Sequence, residues 1–319
     1  MTSDYQPSWD ELREQAADWL AGMDSGTADP EEFEAWRSAD PRHAVAFVQV
    51  ANALGALDRA KPALRGTLPS VKRPSRRAFI WGSAAIATAA LGAGAFGVAT
   101  AKTTVATRVG ERTRVGLPAG GAIDVNTNSR IQWRDRGGVV EVWLQKGEVA
   151  LDLASSSARC RLYAAGRVAE FSASKINARL RGSLLDLAVV DGRCAVSSEE
   201  QAKTMATRQP APTVVLASHA VLASASQTVV RPLDAVDTAS LNGWPNGELV
   251  FQGQTLDTAV AEYNRYLTRK IVIADASLAE IRLGGRFTTQ DPASFLAGLH
   301  DSFGIQVVDD GVGNIALTK

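Results

Sequence analysis

The sequence predicts a multidomain chain: an N-terminal three-helix bundle, one transmembrane helix, a periplasmic all-β domain and a small C-terminal α+β module. Three observations predict it. Residues 1–60 carry apolar side chains at helical spacing, the stretch from Ala78 to Ala101 contains no charged residue, and beyond Lys102 the pattern turns to period two with regular turn signals. A chain of 319 residues accommodates two or three domains at about 100–200 residues each.

Composition narrows the function. Hydrophobic residues make up 45% and charged residues 21%, ordinary values for folded protein. The formal net charge is zero, so no global bias points to nucleic acid, and no direct nucleic-acid partner is expected. The histidines (His43, His219, His300) and cysteines (Cys160, Cys194) are scattered, without metal-ligand spacing. No Ser-His-Asp set or phosphate loop is visible. Asp257, Glu262 and Asp301 read as isolated carboxylates on solvated faces. The expectation is a non-enzyme without catalytic, cofactor-binding or metal residues.

In the N-terminal domain, residues 1–60, Ser8 caps a helix from Trp9 to Leu20 whose face carries Trp9, Leu12, Ala16, Trp19 and Leu20. Gly22 and Ser25-Gly26 are read as its end. Asp29-Pro30 opens a second helix with Phe33 and Trp36 on its apolar face. Asp40-Pro41 opens a third, carrying Ala44, Phe47, Val48, Ala51, Leu54 and Leu57. Each tryptophan has two readings, core filler or exposed anchor for a partner.

Residues 61–77 form a basic linker containing Pro62, Gly66, Pro69 and Pro74. Lys72, Arg73, Arg76 and Arg77 hold the N-terminal side in the cytoplasm by the positive-inside rule. Ser75, Arg76, Arg77 and Phe79 match the twin-arginine export signal, S-R-R-x-F-L. Residues 78–101 follow as the transmembrane helix, long enough to cross a bilayer. The expected location is the inner membrane, single-pass, with a cytoplasmic N-terminus and a periplasmic C-terminus. Ala99-Thr100-Ala101 also has the form of a signal-peptidase site. The alternative is therefore a cleaved, exported periplasmic binding protein. The folded-looking domain ahead of the arginine pair argues for the uncut anchor.

Residues 102–198 read as short strands: Arg112–Leu117, Ala122–Asn126, Ser129–Trp133, Val139–Leu144, Val149–Leu153, Arg161–Ala164, Val168–Phe171, Ala178–Arg181, Leu184–Val190 and Arg193–Val196. Turns fall at Pro118–Gly121, Arg136–Gly138 and Lys146–Glu148. This suggests a sandwich or a solenoid-like sheet. Cys160 and Cys194 both fall here. An oxidising compartment would allow a disulfide closing a loop of about 35 residues, about 3–4 kcal/mol in the chain-entropy model, and two buried free thiols are the other reading. Residues 199–240 are Ala/Ser/Thr/Gln-rich and read as a linker with one or two strands, such as Thr213–Leu216. The C-terminal module, residues 241–319, reads as strand–helix–strand–strand–helix–strand–strand.

In this order the pieces resemble the FecR family of transmembrane sigma-factor regulators. The resemblance rests on Ala17-Asp18-Trp19, Phe33-Glu34-Ala35-Trp36 and Asp40–Phe47 in the first domain. In the β region it rests on Gly110-Glu111-Arg112, Val115–Gly120, Val125–Ser129 and Leu144–Val149. At the end it rests on Trp244, Gly247–Phe251, Leu256 and Tyr263-Asn264-Arg265-Tyr266, similar to the signalling domain of TonB-dependent receptors. The resemblance implies that the inner domain binds an extracytoplasmic-function sigma factor, with Trp9, Trp19, Phe33, Trp36 and Phe47 as candidate contacts. It implies that the outer region meets the signalling domain of a TonB-dependent outer-membrane receptor, with Trp244, Phe251, Tyr263 and Tyr266 as candidates. The stimulus in such systems is often a ferric siderophore.

Overall fold

The computed structural model describes residues 7–64, 102–203 and 211–319. The targeting residues Ser75, Arg76, Arg77 and Phe79 and the apolar run 78–101 lie outside the described residues. Among the described residues no helix is long and apolar enough to cross a membrane. The described residues fall into two compact units, residues 7–35 with 46–64, and residues 36–45 with 102–203 and 211–319.

The N-terminal helices are α1 (Trp9–Ser25), α2 (Pro30–Ala39) and α3 (Pro41–Leu64). A reciprocal capping box starts α1: Ser8 N donates to Glu11 Oε2 at 2.7 Å, and Glu11 N donates to Ser8 Oγ at 3.3 Å. The helix continues through Gly22, where a break was expected, because one interior glycine costs only about 1 kcal/mol. It stops at Gly26, whose φ of 71° suits a left-handed cap. Asp29 Oδ1 accepts from Glu31 N at 2.8 Å and so caps α2. Helix α3 runs past the expected boundary at residue 60, through Lys61 and Pro62. A proline that close to a helix end removes one backbone donor without ending the helix.

The β region is a two-sheet sandwich. Its first eleven strands are β1 (Thr103–Ala106), β2 (Thr113–Gly116), β3 (Ala122–Val125), β4 (Arg130–Arg136), β5 (Val139–Lys146), β6 (Glu148–Asp152), β7 (Arg159–Ala164), β8 (Arg167–Ser172), β9 (Lys175–Arg181), β10 (Leu184–Asp191) and β11 (Arg193–Ser198). After a short helix α4 (Glu199–Lys203) come β12 (Thr213–Leu216), β13 (His219–Ala223) and β14 (Thr228–Pro232). One sheet has the order β1-β4-β5-β7-β8-β11-β12 and the other β14-β13-β10-β9-β6-β3-β2. Their alternating apolar residues meet in one core, with Ile131, Val142 and Leu162 of the first sheet packed with Ile123, Leu151 and Leu187 of the second.

One expectation for this region is corrected. Residues 211–232 are not linker, because β12 pairs with β11, and β13 pairs with β10 and β14. Ala220, Val221 and Ala223 of β13 are fully buried. Their small side chains make the composition look like a linker while filling the core beside larger neighbours. Of the two readings of Cys160 and Cys194, the structure has the free thiols, both buried. Cys160 lies opposite Phe171 of β8. The β8–β11 register, with Ala195 opposite Glu170, places Cys194 on the other flank of Phe171. With β8 between them at about 4.8 Å per strand, the two backbones are about 10 Å apart, beyond the reach of about 7 Å that a disulfide allows.

The C-terminal module begins with α5 (Ala235–Gly243). There follow β15 (Glu248–Thr255), α6 (Leu256–Tyr263), β16 (Ile271–Ile273), β17 (Arg282–Thr288), α7 (Ala293–Phe303), β18 (Gln306–Asp309) and β19 (Ile315–Thr318). From β15 onward this is the order that the sequence predicts. Strands β15 and β17 pair antiparallel, and β16-β19-β18 form a second small sheet. The α6 face of Leu256, Val260 and Tyr263 packs with Phe251, Phe295 and Leu299. The Tyr263 and Phe295 rings stack at 4.6 Å.

Candidate functional site

The aromatic side chains of the N-terminal helices divide by burial. Phe33 is 6% exposed and meets Trp19 edge-to-face at 5.7 Å and Phe47 at 4.8 Å. Phe33 is thus a core residue that joins three helices, which leaves it little surface for a partner. Trp9, Trp19, Trp36 and Phe47 are half-buried, and so each keeps a face in solvent. Trp36 stacks on His43 with centroids 4.6 Å apart, and His43 Nδ1 lies 2.6 Å from the Trp36 carbonyl oxygen. This pair locks the turn between α2 and α3. A tryptophan face left in solvent is the chemistry of a protein-binding hot spot.

The four candidate receptor contacts are buried within this chain. Trp244, Phe251, Tyr263 and Tyr266 are exposed by only 3%, 5%, 0% and 4%. Phe251 and Tyr263 are the module's core. Tyr263 also donates to the Thr288 carbonyl at 3.0 Å, so its polar tip is satisfied inside. Trp244 and Tyr266 have a different task, in the buried junction between module and sandwich.

That junction centres on Glu148, the first residue of β6 and 3% exposed. Its Oε1 accepts from Asn177 Nδ2 at 2.9 Å, and its Oε2 accepts from Asn126 Nδ2 at 2.8 Å and from Arg265. Asn177 in turn accepts from Trp244 Nε1 at 2.9 Å, and the Asn126 amide reaches the Tyr266 hydroxyl at 2.9 Å. Arg265 also pairs with Glu262, which pairs with Arg179 at 3.1 Å. Glu148, Arg265, Glu262 and Arg179 thus form an alternating chain of two negative and two positive charges. Burial works against ionising Glu148, but Arg265 and Arg179 outweigh it and hold the carboxyl below the usual glutamate range. Burial likewise works against the Arg265 charge, and Glu148 and Glu262 more than restore it.

The backbone is shaped to make this junction. Gly147, between β5 and β6, has φ +84°, and a Cβ there would lie 2.1 Å from Ser129 Oγ. This close approach lets Ser129 Oγ accept from Glu148 N at 2.9 Å. A second tie forms where Arg112 Nη1 donates to the carbonyls of Trp244 at 2.9 Å and Pro245 at 3.0 Å. A third runs from Thr127 Oγ1 to the Arg265 carbonyl at 3.2 Å. A cavity of about 250 Å³ opens beside Arg179, Trp244 and Glu262. The segments Val125–Ser129, Leu144–Val149 and Tyr263–Tyr266 therefore converge on one place. Sequence reading singled them out and missed that they meet, since nothing in local periodicity links Glu148 to Arg265. Among the described residues no group of three or more His, Cys, Asp or Glu could hold a metal ion.

Comparison with known proteins adds the fold and little more. Residues 14–53 match the model of a domain of unknown function, DUF4880. No curated protein matches the chain. Two crystal structures of a candidate anti-sigma factor from Parabacteroides distasonis ATCC 8503 are similar, each with a TM-score of 0.50 and 16% identity. They cover 69% and 68% of this chain and 99% of their own. At that identity the likeness is one of fold.

Proposed function

We propose that this chain is a membrane-anchored regulator of an extracytoplasmic-function sigma factor. The N-terminal helices bind the sigma factor in the cytoplasm, and the sandwich with its C-terminal module receives a signal in the periplasm. The observation that carries the reading is the shared fold with a protein described as a candidate anti-sigma factor, almost its whole length being matched. The half-buried Trp9 and Trp19 of α1, and Trp36 of α2, each support it by keeping an aromatic face in solvent. The FecR-like motif order extends the proposal to a TonB-dependent receptor as the outer partner and to iron uptake as the controlled process. The chain then acts by binding, without catalysis. Signal transfer requires two states whose balance the outer partner shifts.

The test is capture of the host's extracytoplasmic-function sigma factors by the full chain, repeated with Trp19→Ala and Trp36→Ala. Retention of one sigma factor, weakened by either substitution, is the expected result. A folded chain that retains none would overturn the reading and favour a cleaved periplasmic binding protein, recognisable by a mature N-terminus at Lys102.

A further inference from the structure

The solvent face of the first sheet is laid out in rows across the strands. In one row Arg161 lies opposite Glu170 and the two pair at 2.7 Å. Glu170 lies opposite Ala195 of β11 on its other side. On the same face Arg134 pairs with Glu141 at 2.6 Å. Glu141 lies opposite Arg161, so these two pairs form one continuous row in which each arginine is matched by a carboxylate on the next strand. The row beside it, toward Arg159, has the arginines without the carboxylates. Arg159 lies opposite Ser172, and Arg193, two residues before the Ala195 that pairs with Glu170, lines the same groove as Ser172. Two arginines therefore share a groove with a serine at the position where the adjacent row has Glu170. Neither Arg159 nor Arg193 has an ion pair or side-chain hydrogen bond among the described residues. Like charges on one sheet face repel.

The short serine side chain leaves room. Arg159, Ser172 and Arg193 line a groove of about 420 Å³ together with Arg161, Glu170 and Val214. Its charged lining is three arginines against one carboxylate. The volume suits a small molecule, and paired guanidinium groups suit an oxyanion held by parallel N–H donors.

We infer that this groove is a binding site for a small oxyanionic ligand, a carboxylate or phosphate, which takes the place of the missing carboxylate between Arg159 and Arg193. The Ser172 hydroxyl donates to the same anion, and Val139 and Val214 contact its apolar part. The site is separate from the buried junction and does not depend on the sigma-factor reading.

The experiment is calorimetric titration of the full chain with citrate and with inorganic phosphate, at ionic strength held constant with chloride. The expected result is saturable binding of at least one. Binding of citrate alone assigns a carboxylate ligand, and binding of phosphate alone assigns a phosphate. Arg159→Gln and Arg193→Gln should each weaken binding about tenfold or more, as for loss of hydrogen bonds to a charged group. Ser172→Glu should abolish it by supplying the carboxylate internally, with the circular dichroism of the folded chain retained. Arg108→Gln, an equal loss of charge elsewhere, should leave affinity unchanged. No saturable binding of either anion, or binding that survives Ser172→Glu and both arginine substitutions, would overturn the assignment.

Discussion

Glu148 and Arg265, 117 positions apart in the chain, form an ion pair in which the carboxylate side chain is 4% exposed and the guanidinium 17%. One belongs to the sandwich and the other to the C-terminal module, so the pair joins two folding layers. A buried pair of this kind contributes little net stability compared with apolar packing, yet losing one partner leaves the other charge stranded. Its value is specificity, since only one placement of the module satisfies Glu148, Asn126, Asn177 and Trp244 together.

Removing both charges should therefore cost less than the two single removals added together. Glu148→Ala or Arg265→Ala should each destabilise the fold by about 3–5 kcal/mol, the usual cost of an orphaned buried charge. The double substitution Glu148→Leu with Arg265→Met should cost less than the sum of the two single changes. Urea unfolding followed by circular dichroism reads all of these, and additive losses would show that the pair is not coupled.

The same pair sets an acid limit. The folded-state pKa of Glu148 lies below its ordinary value of 4.5. Its contribution to stability is thus fully present above about pH 4.5 and is lost as pH falls through the lower folded value. The urea midpoint should decline below that pH in the native chain. Glu148→Gln should start from a lower midpoint and lack this part of the decline. An identical pH slope in both would show that Glu148 does not titrate as its surroundings require.

Much of this architecture is legible in the sequence, and the exceptions have physical causes. Alternation and glycine turns mark β5 to β11, and α6 shows its apolar face because helical spacing is a local property. Strand β13 is hard to see because its alanines, flanked by an Ala/Ser-rich stretch, do not contrast enough to show alternation, although Ala220 and Ala223 are buried. Trp244 and Tyr266 read equally as surface or core, because an aromatic residue with a polar tip suits either. Only the positions of Asn177 and Asn126, far away in sequence, satisfy those tips internally. The row Arg159–Ser172–Arg193 is equally invisible to sequence, since it depends on strand register and not on any motif.

The two cysteines should behave as buried apolar groups. Burial pushes the Cys194 thiol up to about 12, and the Cys160 thiol is pushed up as well, so little thiolate exists at neutral pH. The native chain should not react with a thiol reagent until urea unfolds it, and then both thiols should react. Dithiothreitol should leave the unfolding midpoint unchanged. A midpoint that falls on reduction would establish a bridge and contradict the placement of β8 between the two residues.

Gly147 supplies the last prediction, because it separates backbone shape from charge. Alanine there meets two obstacles at once. The φ of +84° disfavours any L side chain, and the added carbon would sit 2.1 Å from Ser129 Oγ and 2.6 Å from Ser129 Cα. The second contact is with backbone and cannot be relieved by a rotamer change. Gly147→Ala should therefore force β6 away from Ser129, weaken the bond from Glu148 N to Ser129 Oγ, and misplace the carboxylate facing Arg265. A loss of about 2–4 kcal/mol is expected, as for strained backbone combined with overpacking. Gly137→Ala is the control: it lies in the β4–β5 turn with φ +58° and no atom within 4 Å of the added carbon. It meets only the conformational part, about 1 kcal/mol. If the two substitutions cost the same in urea unfolding, the approach of β6 to Ser129 is not what positions Glu148.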